Sequence, residues 1–232
     1  MKTVLILPAY NEEGKIGIVV KKAKPYVNQV VVVDDGSKDR TAREAKQAGA
    51  HVIKQPCNMG VGAAIRSGFD YALKNKFDVT LIMGGDDQDN PSEIPILMEK
   101  IKAGYDFVQG SRRLSRVQTE NMPLFRRITT RSYSLLFTLV TGRYITDGTN
   151  GFRAIRTGIL KNMNLHQEWL DRYELEPYVF YQAIKKGYKV TEVQVTKRYP
   201  KNRKVGFTKM IPFKDWWRIS RPLIFLALRI KK

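Results

Sequence analysis

The stretch Gln29-Val30-Val31-Val32-Val33-Asp34-Asp35-Gly36-Ser37 does most to decide the fold. Its β-branched valines predict a buried strand over residues 29–33, and the Asp-Asp-Gly-Ser that follows is a turn signal. Before this stretch, an apolar run at 3–7 that ends at Pro8 predicts an earlier strand. Apolar residues at helical spacing over 13–24 predict a helix between the two strands. The chain therefore begins with a βαβ unit.

The alternation of strand and helix continues through the first half of the chain. Further strands are predicted at 51–54, 79–83 and 105–109, and further helices at 38–49, 62–73 and 93–102. The second half predicts helices at 125–140 and 175–185 and strands at 152–155 and 188–195. This order predicts an α/β fold with a mainly parallel, doubly wound sheet, whose ligands bind beyond the carboxyl ends of the strands.

Composition narrows the class of protein. A chain of 232 residues with 43% hydrophobic content suits one globular domain with a full core, with or without a short appendage. Lys and Arg exceed Asp and Glu by 41 to 22, a net charge of +19, which favours nucleic acid, acidic membranes or phosphorylated substrates as partners. The N-terminus does not resemble a signal peptide, and no run reaches the roughly 18 to 20 apolar residues that span a bilayer. The single cysteine, Cys57, fits a reducing compartment.

Two polar motifs follow the first two predicted strands. Pro8-Ala9-Tyr10-Asn11-Glu12 can offer an aromatic face and polar groups to a nucleotide base, or it can be a turn with Asn11 as a helix cap. Asp34 and Asp35 can accept hydrogen bonds from a ribose or a base edge, or they can belong to a turn before a helix.

A third motif, Met83-Gly84-Gly85-Asp86-Asp87-Gln88-Asp89, gathers carboxylates after a strand. Carboxylate oxygens suit a hard divalent cation, and such a cation would neutralise a diphosphate leaving group. A solvated acidic turn is the alternative.

In this order, the three motifs resemble those of family 2 glycosyltransferases of the GT-A fold. The segment 58–68, Asn-Met-Gly-Val-Gly-Ala-Ala-Ile-Arg-Ser-Gly, matches what that family places between the last two. The chain most resembles dolichol-phosphate mannose synthases and related polyprenyl-phosphate sugar transferases. The resemblance implies a GT-A catalytic domain over 1–209 and an inverting transfer of a hexose from a nucleotide sugar to polyprenyl or dolichyl phosphate. GDP-mannose is favoured over UDP-glucose as the donor.

The resemblance also implies a donor site. Its residues are Pro8, Tyr10 and Glu12 for the base, Asp35 for the nucleoside, Gly60 beside them, and Arg203 and Lys209 for the diphosphate. Asp86 and Gln88 match ligands of Mg²⁺ or Mn²⁺, and Asp86 is also placed among the catalytic residues. Relatives have Asp-x-Asp here, but Gly84 stands in place of the first Asp, which leaves Asp87 or Asp89 to compensate.

The acceptor side of the resemblance rests on Arg112, Arg126 and Thr130, which match the residues that grip the acceptor phosphate. Arginine forks suit phosphate oxygens, although a solvated basic helix face would look similar in sequence. A phosphate acceptor is anionic at neutral pH and needs no general base. Transfer to a glycan hydroxyl would need one, for which Asp87 or Asp147 could serve. A nucleic-acid-binding protein and a non-catalytic donor-binding regulator are the further alternatives, although no nucleic-acid-binding module is present.

The last segment, 210–232, mixes tryptophans with Lys and Arg and then becomes apolar from Pro222. Because proline breaks a helix interior, we expect two short amphipathic helices that anchor the protein at a membrane surface. Packing on the domain's own core, or contact with a membrane-embedded protein partner, is the alternative. The expected location is the cytoplasmic face of a membrane.

Overall fold

A seven-stranded sheet between two layers of helices forms the protein. This computed structural model describes residues 1–114, 119–120, 122, 124–199, 214–228 and 230–231. The strand order is β3-β2-β1-β4-β7-β5-β8, and a separate pair joins β6 to β9. All neighbours in the large sheet are parallel except β7, which runs antiparallel between β4 and β5. The predicted α/β fold with a mainly parallel sheet is confirmed.

The elements follow one another in the predicted alternation. The strands are β1 Thr3–Ala9, β2 Gln29–Asp34, β3 His51–Lys54, β4 Val79–Ile82, β5 Phe107–Ser111, β6 Thr119–Glu120, β7 Arg153–Arg156, β8 Val190–Gln194 and β9 Lys197–Arg198. The helices are α1 Ile16–Ala23, α2 Thr41–Gln47, α3 Val61–Lys74, α4 Ile94–Lys102, α5 Leu124–Thr141, α6 Leu175–Lys185 and α7 Lys214–Ala227.

Side chains from both faces of the sheet build the core. In β1, Leu5 and Leu7 pack on one face against residues of α1, α2 and α4, whereas Val4 and Ile6 pack on the other face against α3. The second face continues into a cluster that includes α5, α6 and α7. Because each central strand is buried on both faces, its sequence is a continuous apolar run.

The C-terminal helix differs from the sequence prediction. We expected Pro222 to divide this region into two helices, but α7 is one helix from Lys214 to Ala227 with Pro222 inside it. Leu223 is fully buried and Leu226 nearly so in the cluster with α5 and α6, and Arg221 pairs with the buried Glu174 at 2.5 Å. These tertiary contacts offset the roughly 3 kcal/mol that an interior proline costs.

The packing of α7 also concerns the prediction that residues 210–232 form a membrane-surface anchor. One side of the helix packs on the domain's own core, as the alternative interpretation held, and Trp217 on it remains 51% exposed. Among the described residues, no helix combines the length and the apolar character that a bilayer crossing requires.

Candidate active site

The polar motifs come together at one edge of the sheet. β1, β2 and β4 are parallel neighbours, so their carboxyl ends lie side by side, and the three motifs of the first half follow those ends. β5 and β8 are also parallel to each other. β5 ends at Ser111, directly before Arg112, and β8 ends at Gln194, shortly before the segment 196–199. We call the groups around Asp35, Asp86 and Asp89 the carboxylate side, and those around Arg112, Arg113 and Arg126 the arginine side.

On the carboxylate side, Asp35 is tied to the loop before α3. Its carboxylate accepts hydrogen bonds from the backbone N–H of Met59 at 2.8 Å and of Gly60 at 2.9 Å. Burial raises the pKa of Asp35, and these two N–H groups offset part of that effect. Gly60 has φ +113°, and a Cβ there would lie 2.4 Å from the carbonyl oxygen of Asp171, so only glycine fits.

The same loop has partners that sequence reasoning missed. Arg172 donates from Nη1 to Asn58 Oδ1 at 2.7 Å, and the Ala63 N–H donates to the Asp171 carbonyl oxygen at 2.9 Å. Asp171 in turn forms an ion pair with Arg66 at 2.5 Å. These residues are more than 90 positions apart in sequence, for instance 114 for Arg172 and Asn58, so no local pattern announces them.

The loop after β1 is braced against the loop after β2. Asn11 adopts φ 51°, donates its N–H to Ser37 Oγ at 2.9 Å, and accepts from the Lys38 N–H through Oδ1. The alternative in which Asn11 caps a helix is wrong, because α1 begins only at Ile16.

The three residues predicted for the base lie along this loop. Pro8 is at the end of β1, Tyr10 is half-buried, and Glu12 is buried with its N–H donating to Thr41 Oγ1 at 2.7 Å. The Glu12 carboxylate also accepts from Lys15 Nζ at 3.2 Å.

The carboxylates of the acidic loop after β4 have different partners. Asp86 Oδ1 accepts the Gln88 N–H at 3.2 Å, and Asp89 Oδ2 accepts the Gly84 N–H at 3.2 Å. Asp87, in contrast, adopts φ 59° and pairs with Lys22 of α1 at 2.8 Å. Of the two residues expected to compensate for Gly84, Asp89 therefore lies beside it.

Lys197, which follows the edge strand β8, brings a positive charge to this acidic loop. Lys197 Nζ lies 2.9 Å and 3.1 Å from the two oxygens of Asp89. Burial raises the pKa of Asp86, and Lys197 offsets part of the rise. Among the described residues, no three or more His, Cys, Asp or Glu side chains come together in a way that could hold a metal ion.

On the arginine side, Arg112 is buried in a hydrogen-bonded network. It donates to Asp147 from Nε at 2.6 Å and Nη2 at 2.8 Å, to Thr149 Oγ1 at 2.7 Å and to the Tyr199 hydroxyl at 2.8 Å. Burial alone would raise the pKa of Asp147, but Arg112 outweighs it and lowers that pKa to about 2. Asp147 is therefore an ionised partner of Arg112 at every physiological pH.

Arg126 and Thr130, both in α5, lie next to this network. The Arg126 guanidinium stacks over the Tyr199 ring at 5.3 Å from its centroid, so Tyr199 contacts both predicted arginines. Thr130 Oγ1 donates to the Arg126 carbonyl oxygen at 2.7 Å and accepts a hydrogen bond from Arg113. Sequence reasoning singled out neither Tyr199 nor Arg113. Arg203 and Lys209 lie outside the described residues.

Comparison with known proteins assigns the chain to a family. Residues 4–163 match the model of glycosyl transferase family 2. The polyprenol monophosphomannose synthase of Mycolicibacterium smegmatis is 30% identical over 90% of this chain and 81% of its own length. The UDP-N-acetylglucosamine–dolichyl-phosphate N-acetylglucosaminyltransferase of Methanococcus voltae is 30% identical over 93% of each chain. The chain belongs to glycosyl transferase family 2, as its motifs predicted.

A solved structure confirms the fold at lower sequence identity. The glucosyl-3-phosphoglycerate synthase of Mycobacterium tuberculosis, crystallised with Mn²⁺, UDP and phosphoglyceric acid, superposes with a TM-score of 0.72. It shares 18% identity and matches 98% of this chain and 78% of its own. The predicted GT-A architecture is therefore confirmed.

Proposed function

We propose that this protein transfers a hexose from a nucleotide sugar to the phosphate of polyprenyl or dolichyl phosphate, with inversion at the anomeric carbon. The observation that carries the proposal is the arginine side. Arg112 donates to the Tyr199 hydroxyl and Arg126 stacks over the same ring. Beside them, Arg113 donates to Thr130. Relatives of this chain are named for transfer to lipid phosphates, which this arrangement suits. Family membership favours a transferase over the nucleic-acid-binding alternative.

The state of the carboxylates favours a phosphate acceptor over a glycan hydroxyl. A hydroxyl must lose a proton to a base during attack, and the base needs a pKa near the working pH. Asp147 is fully buried, bound to Arg112 through both oxygens, and has a pKa of about 2. Asp87 is paired with Lys22. A phosphate monoester, whose second pKa is about 6, attacks as an anion and needs neither group.

The reaction can then be written as a single displacement. A phosphate oxygen of the acceptor forms a bond to the anomeric carbon while the bond from that carbon to the diphosphate breaks on the opposite face. The products are the lipid-phosphate hexose and a nucleoside diphosphate. Arg113 and Arg126 would orient the acceptor phosphate, and the buried Arg112 would position Arg126 through Tyr199. Arg203 and Lys209 would contact the leaving diphosphate.

The carboxylate side fits the donor and a divalent metal. Asp35, Gly60 and the loop of Pro8, Tyr10 and Glu12 would hold the nucleoside. Asp86 and the amide oxygen of Gln88 are hard donors that suit Mg²⁺ or Mn²⁺, which commonly binds through one or two carboxylates plus substrate phosphates. Burial disfavours the charge on Asp86, and a cation there would restore it. When bound, the metal neutralises charge that develops on the diphosphate.

A donor panel tests this proposal. Purified protein would receive GDP-mannose, UDP-glucose or UDP-N-acetylglucosamine with a short polyprenyl phosphate, with Mg²⁺ or Mn²⁺, and mass spectrometry would identify the lipid product. We place GDP-mannose first, because the mycobacterial relative carries mannose in its name. A lipid-phosphate hexose from one donor supports the proposal. Donor binding without product from any acceptor supports the regulator alternative.

We further propose that α5 and α7 meet an anionic membrane from its cytoplasmic face. Leu124, Ile128, Leu135 and Leu139 recur at helical spacing along α5 and are 55–72% exposed, with Arg131 on the same helix face and also exposed. Phe125 packs at 4.9 Å from Trp216, which joins this stripe to α7. Apolar side chains flanked by arginines are the composition of a membrane-surface helix.

Vesicle flotation tests the membrane contact. Wild-type protein should float with vesicles that contain anionic lipid, and Ile128→Glu/Leu135→Glu should reduce the bound fraction strongly. Ile18→Glu is the matched control, because Ile18 is 46% exposed on α1, which packs on the opposite face of the sheet. Equal loss in both variants would contradict the assignment. Flotation only of vesicles that carry membrane proteins would indicate a membrane-embedded partner.

A further inference from the structure

Lys197, which no sequence motif singled out, lies in the carboxylate side. It begins β9, which follows the end of β8 after two residues, and its side chain is only 12% exposed. Its ammonium group makes hydrogen bonds of 2.9 Å and 3.1 Å with the two oxygens of Asp89, a side chain with no exposed surface. Such a pair is held firmly, because either charge alone would be costly to bury.

The backbone fixes Lys197 in this place. Asp89 and Lys197 form an antiparallel β-bridge, and the Arg198 N–H donates to the Gln88 carbonyl oxygen at 2.9 Å. One residue earlier, Thr196 donates its N–H to Glu93 at 3.0 Å. The backbone that carries Lys197 is thus held against the end of the acidic loop at Gln88 and Asp89.

The geometry around Gly84 shows how the Lys197–Asp89 pair affects a cation site at this loop. A Cβ on Gly84 would lie 2.9 Å from Asp86 Oδ1 and 3.3 Å from Asp89 Oδ2. The space beside residue 84 is therefore already filled by two carboxylates, Asp86 and Asp89. Asp89 thus lies on the same side of Gly84 as Asp86, but both of its oxygens accept hydrogen bonds from Lys197, and Oδ2 also accepts the Gly84 N–H.

We propose that Lys197 is a positioning residue that withholds Asp89 from the metal, so that Asp86 is the only carboxylate ligand. Lys197 is then a built-in counter-cation for the acidic loop, and the metal binds weakly until the donor's diphosphate adds its own oxygens. Burial alone would lower the pKa of Lys197, but Asp89 and Asp86 outweigh burial and raise it, so the ammonium stays charged. This inference rests on the metal site proposed above.

Mn²⁺ titration without nucleotide, followed by the electron paramagnetic resonance signal of free Mn²⁺, tests the inference. Lys197→Gln should bind Mn²⁺ about tenfold more tightly than wild type, because it releases Asp89 as a second carboxylate ligand. Asp89→Asn should leave the affinity of the wild type within about twofold, because Asp89 is not a ligand while Lys197 holds it. The double variant Lys197→Gln/Asp89→Asn should return to the wild-type affinity.

The contrary results are equally specific. Unchanged or weaker binding in folded Lys197→Gln overturns the proposal, and so does a tenfold or greater loss in Asp89→Asn, since that would make Asp89 a ligand in the wild type. Should Lys197→Gln fail to fold with an unpaired Asp89, the double variant Lys197→Gln/Asp89→Asn, which buries neither charge alone, decides: a tenfold or greater loss of Mn²⁺ affinity would make Asp89 a ligand in the wild type.

Asp86→Asn tests whether the metal binds at Asp86 at all, independently of the role of Lys197. It should abolish Mn²⁺ binding in the wild-type background. If no protein binds Mn²⁺, the metal site and the inference both fail, while the proposed transfer is judged separately from the donor panel. If the wild type binds Mn²⁺ and Lys197→Gln does not bind it more tightly, only the role of Lys197 fails.

Discussion

The carboxylate side and the arginine side lie at the same edge of the sheet but are held together differently. On the carboxylate side, Asp35 and Asp86 accept hydrogen bonds from backbone N–H groups of loops that follow the strands. On the arginine side, Arg112 is held almost entirely by other side chains, those of Asp147, Thr149 and Tyr199. Backbone donors survive side-chain substitution, whereas a side-chain network loses a partner with each change.

Substitutions in the two regions should therefore have different effects on activity and stability. Changes at Asp35 or Asp86 on the carboxylate side should alter chemistry and leave the fold largely intact. Changes inside the Arg112 network should cost stability as well, because they leave a buried charge unpaired.

Asp147→Asn should lower the free energy of unfolding by about 3–5 kcal/mol, because it leaves the buried Arg112 without its counter-charge. The pair is 3% and 0% exposed, so solvent cannot replace the lost carboxylate. Urea denaturation measures the change. Asp87→Asn is the matched control, since the Asp87–Lys22 pair is 33% and 52% exposed and should change stability by less than about 0.5 kcal/mol. Equal losses of stability in the two variants would contradict the expected difference between the buried and the exposed ion pair.

Asp86→Ala should lower kcat of transfer by about 10²- to 10³-fold, as expected for loss of one group that stabilises charge in the transition state. Its stability should stay close to that of the wild type, because Asp86 is half-buried and burial already disfavours its charged form. Steady-state kinetics with saturating metal and a parallel urea curve give both numbers. Retention of full activity would remove Asp86 from the site.

Arg126→Ala should reduce kcat/KM for the lipid acceptor by about 10- to 100-fold, the value of one hydrogen bond between charged groups. The KM of the donor should not change, because Arg126 packs on Tyr199 of the arginine side. Arg127→Ala is the control, since Arg127 is exposed on the same helix. Unchanged acceptor kinetics in Arg126→Ala would remove it from the phosphate grip.

Tyr199→Phe should have the smallest effect, a loss of about 1–2 kcal/mol in unfolding free energy, because Arg112 loses one hydrogen-bond acceptor. The ring remains for Arg126 to stack on, so the KM of the acceptor should rise by less than in Arg126→Ala. Tyr199→Leu removes both contacts and should approach the kinetics of Arg126→Ala. Identical behaviour of the two tyrosine variants would mean that the ring does not position Arg126.

The same contrast explains how far the sequence could predict this molecule. The motifs of the carboxylate side directly follow parallel strands, so the strand predictions placed Asp35 and Asp86 at one edge. The network of the arginine side joins Arg112 to Asp147 and Tyr199, which are 35 and 87 residues away. Lys197 meets Asp89 across 108 residues. Such pairings depend on tertiary packing, and so does the continuity of α7 through Pro222.

The most direct test of transfer to a lipid phosphate compares two acceptors that differ only in the phosphate group. Purified protein with the active donor would receive a polyprenyl phosphate and, separately, the polyprenol of equal length, together with free sugars as a third arm. We expect a glycosylated lipid from the phosphate alone, with the sugar linked through phosphate and its anomeric configuration inverted. Transfer to the polyprenol or to a sugar hydroxyl, with none to the phosphate, would contradict it.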